Sequence, residues 1–309
     1  MKIYTYPKFC EKDYLLFRFG GPGLGNLLFP WARSFKVAHE HNLNKIWATW
    51  PQLKIGPILR NEKDKRAYSD LFRPVEGYVT GIKKLYLFNN LFTKKISENE
   101  YYKIYIENQE LSNINSIVTF SGMKDMFTPI QKSHELIKGE LKRITMPIHL
   151  EFNKSEMMRS ISLHIRMGDF KIYDESRVSK EVTNMRLPLE WYIDIVKKIN
   201  YASGNAILVK VFSDASDEEL LELLKIDNVE RVRSGSAISD IFAISHSKAL
   251  VASNSTFSMW AAYLGRMPLI RFKGMGNYNI FYNKSEHEIE LGLNESIPAA
   301  FLNHLLGDI

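Results

Sequence analysis

The sequence predicts an α/β protein built from two successive strand–helix trains, and three observations carry that prediction. Short apolar runs rich in β-branched and aromatic residues recur along the chain, each followed by a segment whose apolar residues repeat every three or four positions. The alternation restarts after Pro147, leaving a seam at residues 145–157. A length of 309 residues also exceeds the ~250–300 at which a single core stops growing, so two domains are expected, 1–152 and 153–309.

The first train opens with the apolar run Tyr14 to Phe19, read as a strand. The glycine cluster Gly20-Gly-Pro-Gly-Leu-Gly25 follows as a tight loop, and Leu24, Leu28, Trp31, Phe35 and Ala38 then repeat at helical spacing. Residues Lys45 to Thr49 and Ser116 to Ser121 read as further strands, and His134 to Ile144 as a helix. Residues 60–115 show no regular pattern and receive no assignment.

The second train is cleaner. Strands are expected at Ile161 to Arg166, Ala206 to Phe212, Val229 to Val232, Ala249 to Ala252 and Pro268 to Phe272. Helices alternate with them at Leu189 to Ile199, Asp217 to Lys225, Ile238 to His246 and Phe257 to Leu264. The pattern Ser216-x-x-Glu219 is a capping box that sets the start of the second of these helices. Strands alternating with helices of this length imply a parallel sheet covered on both faces.

Composition is that of an ordinary globular chain, 45% hydrophobic and 25% charged, which excludes disordered and fibrous classes. Cys10 is the single cysteine, so no internal disulfide can form and a reducing compartment fits. No run of ~18 apolar residues spans a bilayer and the N-terminus lacks an apolar signal region, so a cytoplasmic location is expected. The formal charge of +6 is unevenly spread: residues 1–154 carry 24 Lys+Arg and 15 Asp+Glu, whereas 155–309 carry 17 and 20. This basic N-terminal half shows no nucleic-acid motif, so no nucleic acid partner is expected. Its charge is read either as a generic solvated surface or as a face resting peripherally on an anionic membrane.

Three segments can carry chemistry. The glycine cluster invites a dinucleotide-binding reading, but with Gly21 and Gly23 as the first pair the third glycine is replaced by Asn26, and no Gly-Lys-Ser/Thr follows for a phosphate loop. It is either a close-packing turn or a loop that presents the Asn26 amide to a polyhydroxyl ligand. In Ser160 to Asp169, strand alternation puts Ile161, Leu163 and Ile165 on one face and Ser162, His164 and Arg166 on the other. Gly168 then ends the strand at the sheet edge where α/β proteins bind ligands, and Arg166 suits a phosphate. The alternative is an Arg166–Asp169 pair beside a core histidine. Lastly, Ser253-Asn-Ser-Thr256 feeds a strand into a helix, which is either an anion site or an ordinary N-cap. Asp240, at the head of the preceding helix, either caps it or accepts hydrogen bonds from a base or ribose. No Asp-x-Asp pair and no His-x-x-x-His spacing occurs, so no metal site is expected.

Together, Gly23 to Phe29, His164 to Asp169, Val211 to Asp214, Ser239-Asp240 and Ser253 to Tyr263 resemble the bacterial α-1,2-fucosyltransferases of glycosyltransferase family 11. The resemblance implies a GT-B architecture, two Rossmann-like domains facing across a cleft, the first on the acceptor side and the second holding the GDP-sugar. It implies inverting, metal-independent transfer of L-fucose from GDP-L-fucose, a substrate rather than a cofactor, to a hydroxyl of an oligosaccharide or lipid-linked glycan, with galactose O2 and an α-1,2 linkage expected. Position by position, Arg166 matches an arginine on the β-phosphate, His164 a histidine beside the nucleotide, and Asp240 a carboxylate accepting from guanine. Ser255 and Thr256 match the phosphate-binding helix start, and Asn26 an asparagine near the transferred sugar. Asp214, Ser253, Asn254 and Phe257 complete the donor-binding set. The catalytic candidates are Arg166, Asn26 and Asp169, the last either a base or a partner that orients Arg166. The chain departs from the family pattern at Leu27 and Pro30, where glutamines are usual, and at Met167, where a second arginine is usual. Another GDP-deoxyhexose, another linkage, or a binding protein without turnover is therefore the alternative reading.

Overall fold

A computed structural model describes residues 2–53, 67–107, 114–168, 171–172, 185–275, 278–282 and 287–307. The chain divides into two units, Met1–His149 and Leu150–Ile309.

The first unit runs β1 (Ile3–Pro7), β2 (Arg18–Phe19), α1 (Leu24–Glu40), β3 (Asn44–Ile46), β4 (Gln52–Leu53), β5 (Tyr78–Val79) and α2 (Gly81–Asn89). It continues with β6 (Lys94–Ser97), α3 (Glu98–Ile106), β7 (Ser116–Phe120) and α4 (His134–Ile144). Its parallel sheet has the order β5-β3-β1-β7-β6. Alternation along the strands decides which helix covers which face. Tyr4, Tyr6, Ile46 and Ile117 pack with Leu87 of α2, whereas Val118, Phe120 and Ile96 pack with Val37 of α1 and Tyr101 of α3. Inside α1, Arg33 is buried and is held by Glu98, with Nε–Oε1 at 3.0 Å and Nη2–Oε2 at 3.2 Å, and by the Ser121 carbonyl at 2.8 Å.

The central strand is Ile3–Pro7, and the expected strand Tyr14 to Phe19 is a correction. Leu15 adopts φ 69°, which no extended strand can contain, and only Arg18–Phe19 pairs, with Gln52–Leu53. The aromatic rings that made this run look buried are exposed and contact one another, Tyr14 with Phe17 at 5.5 Å and with Phe19 at 5.9 Å. A buried polar cluster bends the segment. Tyr6 Oη donates to Asp13 at 2.5 Å, Asp13 accepts from the Leu15 N–H at 2.9 Å, and Lys84 Nζ donates to the Leu15 carbonyl at 2.7 Å and to Thr49 at 2.9 Å. Burial holds the Lys84 ammonium down to about 8.

The second unit begins with α5 (Lys154–Met158), β8 (Ser160–Ile165), β9 (Lys171–Ile172), β10 (Met185–Arg186), α6 (Leu189–Ser203), β11 (Leu208–Ser213) and α7 (Leu221–Leu224). It ends with β12 (Val229–Arg231), α8 (Ala237–Ile244), β13 (Ala249–Ala252), α9 (Thr256–Gly265), β14 (Leu269–Phe272), β15 (Glu288–Leu291) and α10 (Ala299–Leu306). Six strands form a parallel sheet of order β12-β11-β8-β13-β14-β15. Counted by appearance this is third, second, first, fourth, fifth, sixth, the doubly wound Rossmann order, and it reverses between β8 and β13. Ile161, Leu163 and Ile165 face the core made by Trp191, Ile195, Ile199 and Phe301. Ser162 and His164 face the other way, as strand alternation requires. Ser216 and Glu219 exchange both capping hydrogen bonds, at 2.9 and 3.2 Å, yet the segment they close is a turn and α7 starts at Leu221, later than expected.

Candidate active site

The strand order reverses between β8 and β13, and the C-terminal ends of such a pair are where doubly wound sheets bind ligands. Arg166 is the first residue beyond β8, and its Nη1 lies 2.6 Å from Asp214 Oδ2, at the end of the neighbouring strand β11. Asp214 also accepts the Met167 N–H at 2.8 Å and the Gly168 N–H at 3.1 Å. One carboxylate thus ties the turn after β8 to the guanidinium. Gly168 is needed for that closeness, because a Cβ there would sit 2.4 Å from Asp214 Oδ2. Arg166 pairs with Asp214, and Asp169, the other candidate partner and candidate base, lies outside the described residues.

His164 is buried at the end of β8, opposite Ala252 of β13 in the sheet register. Its Nδ1 lies 2.8 Å from Ser253 Oγ and 2.5 Å from Ser258 Oγ, and the two hydroxyls are 3.1 Å apart. Phe257 stacks on the imidazole, with centroids 4.8 Å apart and planes 16° apart. Burial, with a smaller contribution from the Arg166 charge, pushes the imidazole down to about 4 against the opposing pull of Asp214. The ring is therefore neutral at pH 7, and both of its side-chain hydrogen bonds are made at Nδ1.

Ser253 to Thr256 turns from β13 into α9. Ser255 is the N-cap and its Oγ accepts from the Phe257 N–H at 3.3 Å, so the cap reading of this segment holds. The cap leaves the first-turn amides and the positive end of the helix dipole at the C-terminal edge of the sheet, directly after β13. Asn254 is buried, and its Oδ1 accepts from Tyr278 Oη at 2.9 Å. Tyr278 in turn lies over Arg271, 5.4 Å from the ring centre, and Arg271 pairs with the buried Glu288. Burial raises the Tyr278 hydroxyl pKa. Asp240, in the first turn of α8, accepts from Ser234 Oγ, while Ser236 provides that helix with its cap. Asp240 is thus not the cap, and it stands on the loop side of the sheet edge that also carries Arg166, Asp214 and Ser253.

Asn26 belongs to the first unit, in the opening turn of α1, with its N–H on the Gly23 carbonyl at 3.0 Å. Pro30 four residues on has no N–H to offer the Asn26 carbonyl. The preceding loop needs glycine for close approach, since Gly21 is at φ 118° and a Cβ there would meet Arg18 Nη1 at 2.5 Å. Arg18 is fully buried, donating to the Thr49 and Gly20 carbonyls at 3.1 and 2.9 Å and lying 5.5 Å from the Phe9 ring.

His164, Arg166, Asp214 and Ser253 to Phe257 are therefore brought together by the second sheet. Ser258, Tyr278 and Ser234 also build the site and escaped sequence reasoning. Ser258 acts through a partner 94 positions away, a separation that leaves no local pattern. Among the described residues no three His, Cys, Asp or Glu side chains converge to hold a metal ion, and no helix is long and apolar enough to cross a membrane.

Two parallel sheets on one chain, of five and six strands with the second doubly wound, are the architecture of the GT-B glycosyltransferases. The chain belongs to glycosyl transferase family 11, whose model matches residues 73–286. It is similar to an α-1,2-colitosyltransferase of Escherichia coli, 25% identical over 264 residues that cover 78% of this chain and 84% of that protein. Its fold is similar to that of the fucosyltransferase NodZ from Bradyrhizobium, with a TM-score of 0.51, 15% identity, and coverage of 89% of this chain and 97% of the other. A structure of the NodZ α-1,6-fucosyltransferase co-crystallised with GDP gives a TM-score of 0.52 at 14% identity, covering 89% and 96%.

Proposed function

We propose that this glycosyltransferase moves a 6-deoxyhexose of the L-fucose type from its GDP conjugate to a glycan hydroxyl, with inversion and without a metal. The observation that carries the reading is that the Arg166–Asp214 pair follows β8 and the Ser255-capped start of α9 follows β13, the two strands that flank the reversal point of the second sheet. In this reading the diphosphate lies between them. Arg166 and the α9 amides meet the negative charge that grows on departing GDP, and removing one such donor costs ~10²- to 10³-fold in rate. His164 acts as a neutral orienting group: a ring whose Nδ1 accepts from Ser253 or Ser258 carries its proton on Nε2. Asp240 accepts from guanine, and Asn254, Phe257 and Thr256 shape the nucleotide side. Asn26, carried over from the family resemblance, is the candidate for the transferred sugar, and Asp169 is the candidate base.

GDP-L-fucose is the first donor to test and galactose O2 the first acceptor. GDP-colitose is the second donor, favoured by the likeness to the colitosyltransferase. Colitose is fucose without its 3-hydroxyl, so the two donors differ by one hydrogen-bonding group. The acceptor is an oligosaccharide or a lipid-linked glycan.

The test is calorimetric binding of GDP, GDP-fucose, GDP-colitose and GDP-mannose to the wild type and to Arg166→Ala, with EDTA and again with magnesium. Binding that persists in EDTA and weakens by ~1.5–3 kcal/mol in Arg166→Ala supports the phosphate site. Turnover with galactosides then ranks the donors. Absence of guanine nucleotide binding would overturn the reading. Tight binding without donor hydrolysis or transfer would leave a binding protein.

A further inference from the structure

The first unit carries an apolar face that none of the candidate site uses. Along α2, Lys84 and Leu87 point into the core, while Ile82 is 85% and Tyr86 is 67% exposed, one helical turn apart. The chain then turns into β6, and at that turn Leu91 is 97% and Phe92 79% exposed. Side chains of this size are seldom so bare, and four of them lie within eleven residues of one helix and its turn. The turn is built rather than loose: Asn90 Oδ1 accepts from the Phe92 N–H at 2.9 Å, and the Asn90 carbonyl accepts from the Thr93 N–H at 3.0 Å. Charge decides what covers it. Residues 77–97 contain four lysines and no acidic residue. Lys84 is buried, and the other three, Lys83, Lys94 and Lys95, are exposed. An apolar tip whose own helix and turn carry only ammonium charges matches a surface that is anionic at its boundary and apolar just beneath it.

We propose that α2 and the turn into β6 form a docking surface for an anionic lipid bilayer. Leu91 and Phe92 enter the boundary between headgroups and acyl chains, Tyr86 sits at headgroup depth, and Lys83, Lys94 and Lys95 meet lipid phosphates. The surface is independent of the nucleotide site, so it stands or falls apart from the proposed transfer reaction.

The experiment is co-sedimentation of the full chain with phosphatidylcholine vesicles, with and without phosphatidylglycerol, for the wild type, L91S/F92S and K94E/K95E. GDP affinity and thermal midpoint serve as controls of folding, and sedimentation velocity without lipid as a control of association. The wild type is expected to bind only the anionic vesicles, and less so as salt rises. Each lysine lost near such a surface costs about fivefold, so K94E/K95E should lower partitioning by at least about 25-fold. L91S/F92S should lower it by at least about tenfold with the controls unchanged. Absence of wild-type binding at low salt overturns the proposal, as does binding that L91S/F92S leaves intact. A wild-type oligomer that L91S/F92S dissociates without lipid also overturns it, assigning the face to a second copy of the chain.

Discussion

The neutral state of His164 can be tested through stability. The imidazole is buried between Phe257 and two serine hydroxyls and is held to about 4, against 6.5 for a free histidine. Between those values the unfolded chain binds a proton that the folded chain refuses. Stability is therefore complete above pH 6.5 and is lost as pH falls toward 4. Linkage gives a loss of ~2 kcal/mol at pH 5 relative to pH 7, and ~3 kcal/mol once both states are protonated. His164→Gln keeps a neutral hydrogen-bonding side chain and removes the titration. Urea unfolding of both proteins at pH 7 and pH 5 isolates this contribution, since the carboxylates common to both cancel. The variant loses packing on Phe257 and is the less stable at pH 7, and the gap should narrow by ~2 kcal/mol at pH 5. A gap equal at the two pH values would refute the reasoning and mean that the ring is solvated.

Gly168→Ala places a Cβ 2.4 Å from Asp214 Oδ2, so the turn must shift, and a loss of ~1–3 kcal/mol in unfolding free energy with weaker GDP binding by calorimetry is expected. Glu98→Ala strands the buried Arg33 charge and should destabilise the first unit by ~3–5 kcal/mol in urea melts. Lys84, held down to about 8 by burial, bears a buried charge below that pH. The unfolded lysine keeps its proton up to about 10.5, so stability should rise between pH 8 and 10.5, on the order of 3 kcal/mol in all, and Lys84→Met should abolish the rise.

The second unit was legible because its strands carry clear patterns between helical repeats, Ala249 to Ala252 as an apolar run buried on both faces and Ile161 to Ile165 as an alternation of apolar and polar residues. The first unit hid its central strand in Ile3–Pro7, whose tyrosines and threonine do not look like a core run, and displayed a false one in Tyr14 to Phe19. Exposed aromatic residues and buried ones are written with the same letters, and only the Lys84–Asp13–Tyr6 cluster, assembled from distant positions, bends that segment outward. Residues 78–106 escaped assignment because β5 is two residues long and α2 leaves much of its apolar surface uncovered, which blurs its periodicity. In the candidate site, strand alternation put Ser162 and His164 on the face of β8 away from Ile161, Leu163 and Ile165, as found. Tyr278 and Ser258 could not be found, because their partners are set by sheet order and not by spacing.

Strand order also governs when the site can exist during synthesis. The two hydroxyls that hold His164 are made 89 and 94 residues after it, and β13 cannot pair with β8 until β11, β12 and their helices have emerged. On the ribosome, β8 and β11 can join early, leaving the flank of β8 that will receive β13 unpaired while the rest is translated. The surroundings of His164 thus close only once the fourth strand of the sheet and the helix after it have been made, and a ligand that binds only the closed form would favour that step of folding.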